Sequence, residues 1–265
     1  MQFCNRVTVT IIFFAICLLG DVGHAQRQQG ETSRLMSFFY VDPKPETVEV
    51  LLMRWPQSGS DDAWEAYPPL AGFLAVALAR YPDILDRIAA ADIDPKMGET
   101  LAAAPRLSGD ANLVARVQTK VDATGSDRKL QSEFSGLPSR LDDLRVVSPT
   151  HLDILWGAAF ASGDARFVRL IIDFAARTAN RSELIAVDLA KTAVAMSGGP
   201  QDILSELKTK HGEQLAREII YGAVALWALG SNARQHPFVA QALAAAVTTR
   251  AGTPASKALS VVLPR

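Results

Sequence analysis

Residues 148–174 read SPTHLDILWGAAFASGDARFVRLIIDF. Ser148-Pro149 supplies an N-cap followed by a first-turn proline, a pairing that opens helices. Leu152, Leu155, Trp156 and Phe160 then recur at three- and four-residue spacing, which places them on one face of a helix reaching about Ala161. Gly163 stands where a helix closes in the left-handed conformation, and Asp164 caps the helix that follows. Phe167, Leu170, Ile171 and Phe174 continue the same period. Two amphipathic helices joined by so short a break fold back on one another as an antiparallel hairpin.

The same signals recur on both sides. Downstream, Ser182 caps a helix through Met196 with Leu184, Ile185, Leu189 and Val194 as its apolar set, and Gly198-Gly199-Pro200 breaks it. A shorter helix runs to about Lys210, a long one from Gly212 to Leu229, and His236-Pro237 starts one that ends near Thr249. Upstream, Asp42-Pro43 opens a helix to Trp55 bearing Val48, Leu51 and Leu52. Pro68-Pro69 opens a second through Arg80 with Leu70, Phe73, Leu74, Ala77 and Leu78 inward. Pro82 starts a third, Pro95 and Pro105 bracket a short fourth, and a fifth covers Asp110 to Val121. Apart from a few residues near Val261-Val262-Leu263, no period-two alternation lasts beyond four residues. The fold class is therefore all-α, with about ten helices in antiparallel hairpins.

Between the well-marked helices lie weaker stretches. Residues 26–40, headed by QRQQGETS, read as a flexible lead, and 41–121 form a helical half. Residues 122–148 hold Gly125, Gly136, Pro138 and a charged run, and read as a long connection with one helical turn near Leu141 to Leu144. Residues 149–249 form the second helical half, and 250–265 a tail, extended or disordered.

The hairpin that begins at Leu152 has a counterpart 82 residues earlier. Leu70, Phe73, Leu74, Ala77 and Leu78, then Tyr81-Pro82 and Ile84-Leu85, share its plan of bulky base, small middle, brief break and second amphipathic helix. Small residues such as Ala77 and Ala159 let helices approach closely. The arrangement resembles the helix-turn-helix stacks of tetratricopeptide-like and other α-solenoid proteins, in architecture rather than in motif, since no 34-residue period is kept. The resemblance implies an irregular α-α superhelix; a compact helical domain is the other arrangement open to such hairpins.

The first 25 residues carry a destination. Arg6 precedes Val7 to Leu19, an apolar run broken by Thr8 and Thr10, and Gly23-His24-Ala25 closes it in small residues. This is the pattern of a secretory signal peptide cleaved after Ala25. Its 13 residues reach about 20 Å as a helix, short of the ~30 Å hydrocarbon core. A secreted or periplasmic product beginning at Gln26 is expected, with no stable membrane insertion. Both cysteines, Cys4 and Cys17, fall in the signal, so the mature chain has no disulfide and no thiolate chemistry. Cys17 follows Ile16 rather than a small residue, which argues against a lipid anchor. A net charge of −1 leaves no basic surplus for a row of phosphates, so nucleic acid is not an expected partner.

The search for chemistry yields few candidates. His151, His211 and His236 lie far apart, with no zinc-type spacing; His151 and His236 flank proline-started helices as capping or surface groups. Ser205-Glu206-Leu207-Lys208 fits the Ser-x-x-Lys spacing of penicillin-recognising enzymes, but the companion Lys-Thr-Gly is missing and Lys191-Thr192-Ala193 does not replace it. The carboxylate pairs Asp61-Asp62 and Asp142-Asp143 sit among loop residues, and Asp122 and Asp127 lack the glycine and glutamate of a calcium loop. Asn180-Arg181-Ser182 is a glycosylation sequon that reads equally as helix capping. No catalytic residue, metal ligand or cofactor site is assigned. Trp55, Trp64 and Tyr67 gather around a Gly/Ser/Asp loop and form the candidate contact surface. The expected function is a non-enzymatic module that docks a protein or peptide segment on a helix-lined groove. An all-α envelope hydrolase using two carboxylates, or a helical pocket for an apolar ligand, is the alternative.

Overall fold

The computed structural model describes residues 24–55, 64–88, 93–122, 124–196 and 203–264, with side chains from Gly30 onward. The signal segment up to Gly23, both cysteines, the 57–62 loop with Asp61-Asp62, and Gly198-Gly199-Pro200 lie outside the described residues. Fourteen α-helices follow one another, and no strand occurs among the described residues. They are α1 (His24–Ser37), α2 (Pro45–Arg54), α3 (Tyr67–Arg80), α4 (Ile84–Arg87), α5 (Pro95–Ser108), α6 (Ala111–Val121) and α7 (Arg128–Phe134), then α8 (Pro149–Ser162), α9 (Ala165–Ala179), α10 (Glu183–Met196), α11 (Ile203–His211), α12 (Glu213–Ala233), α13 (Pro237–Thr249) and α14 (Pro254–Ser260). The all-α expectation holds, and short polar caps do much to set the boundaries. Asp94, Asp110, Asp127, Asp164 and Thr253 each accept a backbone N–H from the first turn of the helix they precede. Gly163, at φ 67°, closes α8 with its α-carbon face against the Tyr40 ring.

The expectation of about ten helices falls short by those in stretches read as unstructured. The 26–40 lead is mostly α1 followed by a 3-10 turn at Phe39–Val41, and Met36 and Phe39 are buried. Its apolar end anchors the helix, and the polar residues behind simply extend it. The 122–148 connection contains α7 and a 3-10 turn at Leu141–Asp143. Leu130, Phe134, Leu141, Leu144 and Val146 pin it to the core. The 250–265 tail contains α14, whose Ala255 and Leu259 are fully buried. The exposed Asn180 accepts the Ala255 N–H at 3.0 Å, so the residue of the sequon caps a helix 75 positions away.

Three boundaries also move. Lys44, not Asp42, precedes α2, with Pro45 at its first position. Pro105 does not stop α5, because Leu101, Ala104 and Leu107 are buried on both sides of it and outweigh the roughly 3 kcal/mol cost of an internal proline. The long helix continues past Leu229 to Ala233, and Gly230 is a seat for Val262 of the tail rather than a stop. On α10 the inward set is Ile185, Ala186, Leu189 and Ala193, whereas Leu184, Val187 and Val194 face solvent.

The largest interface joins α3 to α8, the two helices whose sequences look alike. Close approach occurs at Gly72 and Gly157 rather than at Ala77 and Ala159. A Cβ on Gly72 would lie 1.9 Å from the Ile154 carbonyl oxygen, and one on Gly157 would lie 1.8 Å from that of Pro69. Backbone therefore meets backbone, which only glycine permits at such range. Elsewhere α9 packs against α8, α10, α12, α13 and α14, so the end of the chain returns to its middle. In a solenoid each repeat touches only its neighbours; here one continuous core runs from Met36 to Leu259.

Candidate functional site

Trp55, Trp64 and Tyr67 do not assemble into an exposed surface. Tyr67 is 1% exposed at the start of α3, inside the core. Trp55 and Trp64 are half-buried against that core. Lys129 of α7 lies over the Trp64 ring at 4.4 Å and pairs with Glu133, which in turn accepts from Thr150 at 2.6 Å. Trp64 thus pins the former connection to the body of the protein.

The polar candidates resolve into structural roles. Lys208 of the Ser-x-x-Lys stretch turns to Glu213 at 3.7 Å, and Ser205 is exposed on α11. Asp142 pairs with Arg140 and Arg166. Asp122 and Asp127 cap the end of α6 and the start of α7. His211 and Lys210 both close on Asp188, at 2.6 and 2.7 Å, and tie α11 to α10. Burial works to raise the Asp188 carboxyl, but the bonds from Lys210 and His211 outweigh it and hold it below the usual range. His236 is not a surface group. It lies buried among Phe38, Tyr40, Phe160 and Phe238, 3.2 Å from the Tyr40 hydroxyl, and burial pushes its imidazole down to about 4. Among the described residues no cluster of three or more His, Cys, Asp or Glu is placed to hold a metal ion. No described helix is long and apolar enough to cross a membrane.

An open groove of about 670 Å³ lies between α9, α12 and the segment leading into α8. Phe174, Arg177 and Thr178 line it from α9 and Arg181 from the turn just past that helix, and Gln214, Arg217, Glu218 and Tyr221 line it from α12. The α12 set has the spacing i, i+3, i+4, i+7 and is one helix face about 10 Å long, whereas the α9 side is the last turns of that helix extended by Arg181. Val146 and Val147 complete the wall. His151 holds that segment in place, with Nδ1 2.8 Å from the Arg145 carbonyl oxygen and 3.3 Å from the Val147 nitrogen. Burial lowers the His151 pKa, and the bond to Arg145 opposes it. The apolar part of the groove is Phe174, Tyr221 and Val147, the last 68% exposed.

Charges in the groove are mostly spoken for. Arg181 meets Glu218 at 2.6 Å and Arg217 meets Glu213 at 2.5 Å. Both carboxylates belong to α12, and the hydrogen bond from Arg217, followed by the field of Lys208, lowers Glu213. A glycosidase-type pair needs carboxyls on facing walls; among the described residues the two that line this groove share one wall. Arg177 has no carboxylate partner among the described residues, and its guanidinium sits 5.7 Å from the centre of the Phe174 ring. No side-chain hydrogen bond links Gln214 or Tyr221 to another described residue.

Sequence reasoning missed this site because its two walls lie some forty residues apart. The available signal was the matching four-residue period of mixed aromatic, amide and charged side chains around the end of α9 and on α12. No family model, curated protein or solved structure matches the chain.

Proposed function

We propose that this chain is an exported, soluble, non-enzymatic helical protein that docks a peptide or protein segment in the groove between α9 and α12. The observation that supports this reading is the groove itself: two facing helices, an apolar strip with an exposed valine, and charged rims mostly paired. Such a surface costs little to desolvate at its centre and stays soluble when empty. Rigid walls also spare a ligand the entropy of ordering the receptor.

The test is selection of a displayed peptide library on the protein beginning at Gln26. Peptides recovered on the wild type should be lost on Val147→Asp and Tyr221→Ala variants that melt normally. Recovery of the same peptides on both variants would place binding elsewhere. The export half of the proposal is tested by mass spectrometry of the extracytoplasmic protein, which should begin at or near Gln26; a product that retains Arg6 would refute it.

A further inference from the structure

Building on the peptide-docking reading of the groove, we infer that its ligand is an extended peptide presenting an internal Asp or Glu side chain to Arg177, with an apolar residue beside it on the strip of Val147, Phe174 and Tyr221. Charge complementarity carries the inference. Of the five charged side chains that line the groove, four are joined in the pairs Arg181–Glu218 and Arg217–Glu213. Arg177 is the remaining one, and it meets an aromatic ring rather than a carboxylate among the described residues. The Phe174 ring holds the guanidinium without using any of its five N–H donors. Gln214 and Tyr221 add hydrogen-bonding groups with no described protein partner. The uncommitted capacity of the groove is therefore rich in donors and carries one positive charge. A planar, acceptor-only carboxylate matches a guanidinium fork in two parallel bonds.

The groove is open rather than a closed pouch, and its α12 face runs about 10 Å. About three residues of extended chain cover that length. An internal acidic residue flanked by apolar ones fits such a channel, with the chain passing out at both ends. The paired rims discriminate as well. A ligand lysine facing Arg177 meets an unpaired like charge, and a neutral glutamine forfeits the charge-assisted part of the bond.

Fluorescence anisotropy with labelled, end-blocked heptapeptides tests the inference. The probe has the core Leu-Glu-Leu between Gly-Ser flanks, and the controls carry Leu-Gln-Leu and Leu-Lys-Leu. The glutamate peptide should bind the full mature protein about tenfold more tightly than the glutamine peptide. Arg177→Gln should erase that difference, and Arg177→Lys should restore part of it, which a merely structural role would not produce. Arg177 is exposed, so both variants should melt with the wild type. Equal affinity for the glutamate and glutamine peptides would overturn the carboxylate inference and leave peptide docking standing. Binding of none of the three peptides, together with failure of the library selection, would remove the docking reading and this inference with it. Displacement of the peptide by glutarate at the peptide's own affinity would overturn it in favour of a small dicarboxylate.

Discussion

The contact between α3 and α8 and the groove between α9 and α12 are both made by pairs of helices, and they differ in what the facing surfaces carry. Along α8 ten of fourteen residues are buried, and along α3 eleven of fourteen. The two helices meet through glycine, with no room for a side chain at the crossing. On α9 most apolar residues keep to one face, and Phe174, at its edge, meets the groove with Arg177 and Thr178, Arg181 following just past the helix end. Helix α12 does the same. It is seated in the core by Gly222, whose absent Cβ would lie 2.8 Å from Leu189 and 3.3 Å from Thr178, while Gln214, Arg217 and Glu218 stay outside. A helix apolar all round serves only to be packed, whereas a two-faced helix can hold a core and leave a working surface.

The crossing should be the least tolerant place in the molecule. Gly157→Val puts a branched side chain where the Pro69 carbonyl and the Phe73 nitrogen already lie within 3 Å of a Cβ. The helices must separate, and the expected outcome is a loss beyond about 3 kcal/mol in urea denaturation, or no cooperative unfolding at all. Gly136→Ala is the control, because nothing lies within 4 Å of its Cβ position; it should stay within about 0.5 kcal/mol. A tolerated valine at 157 would mean that the two helices do not meet backbone to backbone.

The tail is the next largest test, because it decides whether the core that backs the groove includes the chain's end. Leu259 is fully buried, and α14 packs on α9, α10 and α13. Leu259→Ala should cost about 2–5 kcal/mol, the range for a buried leucine. A loss under about 0.5 kcal/mol would mean that residues 250–265 are an independent extension, as the sequence alone suggested.

Acidity separates the two regions further, since the buried titratable groups lie around α8 rather than in the groove. His236 titrates near 4 when folded and near 6.5 when unfolded, so the unfolded chain takes up the proton first. The His236 contribution to stability is complete above pH 6.5 and is lost as pH drops toward 4, by about 3 kcal/mol in full. Asp153 of α8 acts in the opposite sense, because burial raises its carboxyl to about 7. Its ionisation favours the unfolded chain, and stability is lost as pH rises from about 4 to 7. Asp153→Asn should therefore raise the urea midpoint at pH 8 and leave it unchanged at pH 3. In that background the fall below pH 6.5 is that of His236 together with His151, Asp188 and the surface carboxylates, and His236→Phe isolates its share. A flat profile from pH 7 to 4 in the Asp153→Asn protein would show that His236 is not held neutral by its aromatic cage.

Much of this architecture is legible in the chain, and the reason is local. Proline at a first turn, aspartate before it and glycine after it act within a few residues, so α3, α6, α8 and α13 are bounded within a residue or two, and α9 at its start, from local sequence alone. What depends on distant partners is not legible. The polar lead and the tail fold because Met36 and Leu259 find a core built elsewhere. Gly230 looks like a helix stop until Val262 is placed on it. Gly72 and Gly157 lie within the two look-alike stretches, where the visible pattern is small residues in general, and only the crossing geometry distinguishes glycine from alanine. The groove is hidden for the same reason: Arg177 and Tyr221 each read as one more side chain on an amphipathic helix.

The smallest expected effect lies in the groove's own ion pairs and marks the wet end of the comparison. Arg181 and Glu218 meet at 2.6 Å, but their side chains are 49% and 31% exposed. Water competes for both groups, and two long side chains must be ordered to make one contact, so the coupling should be only about 0.2–1 kcal/mol. A double-mutant cycle of Arg181→Ala, Glu218→Ala and the pair measures it in isolation from other losses. The coupling should shrink further in 1 M salt, where the Debye length is about 3 Å. A value above about 2 kcal/mol that persists in high salt would mean a desolvated, structural pair, and the groove would then be a sealed seam like the one between α3 and α8. A small, salt-sensitive value leaves these charges free to rearrange around a ligand without loss of the fold.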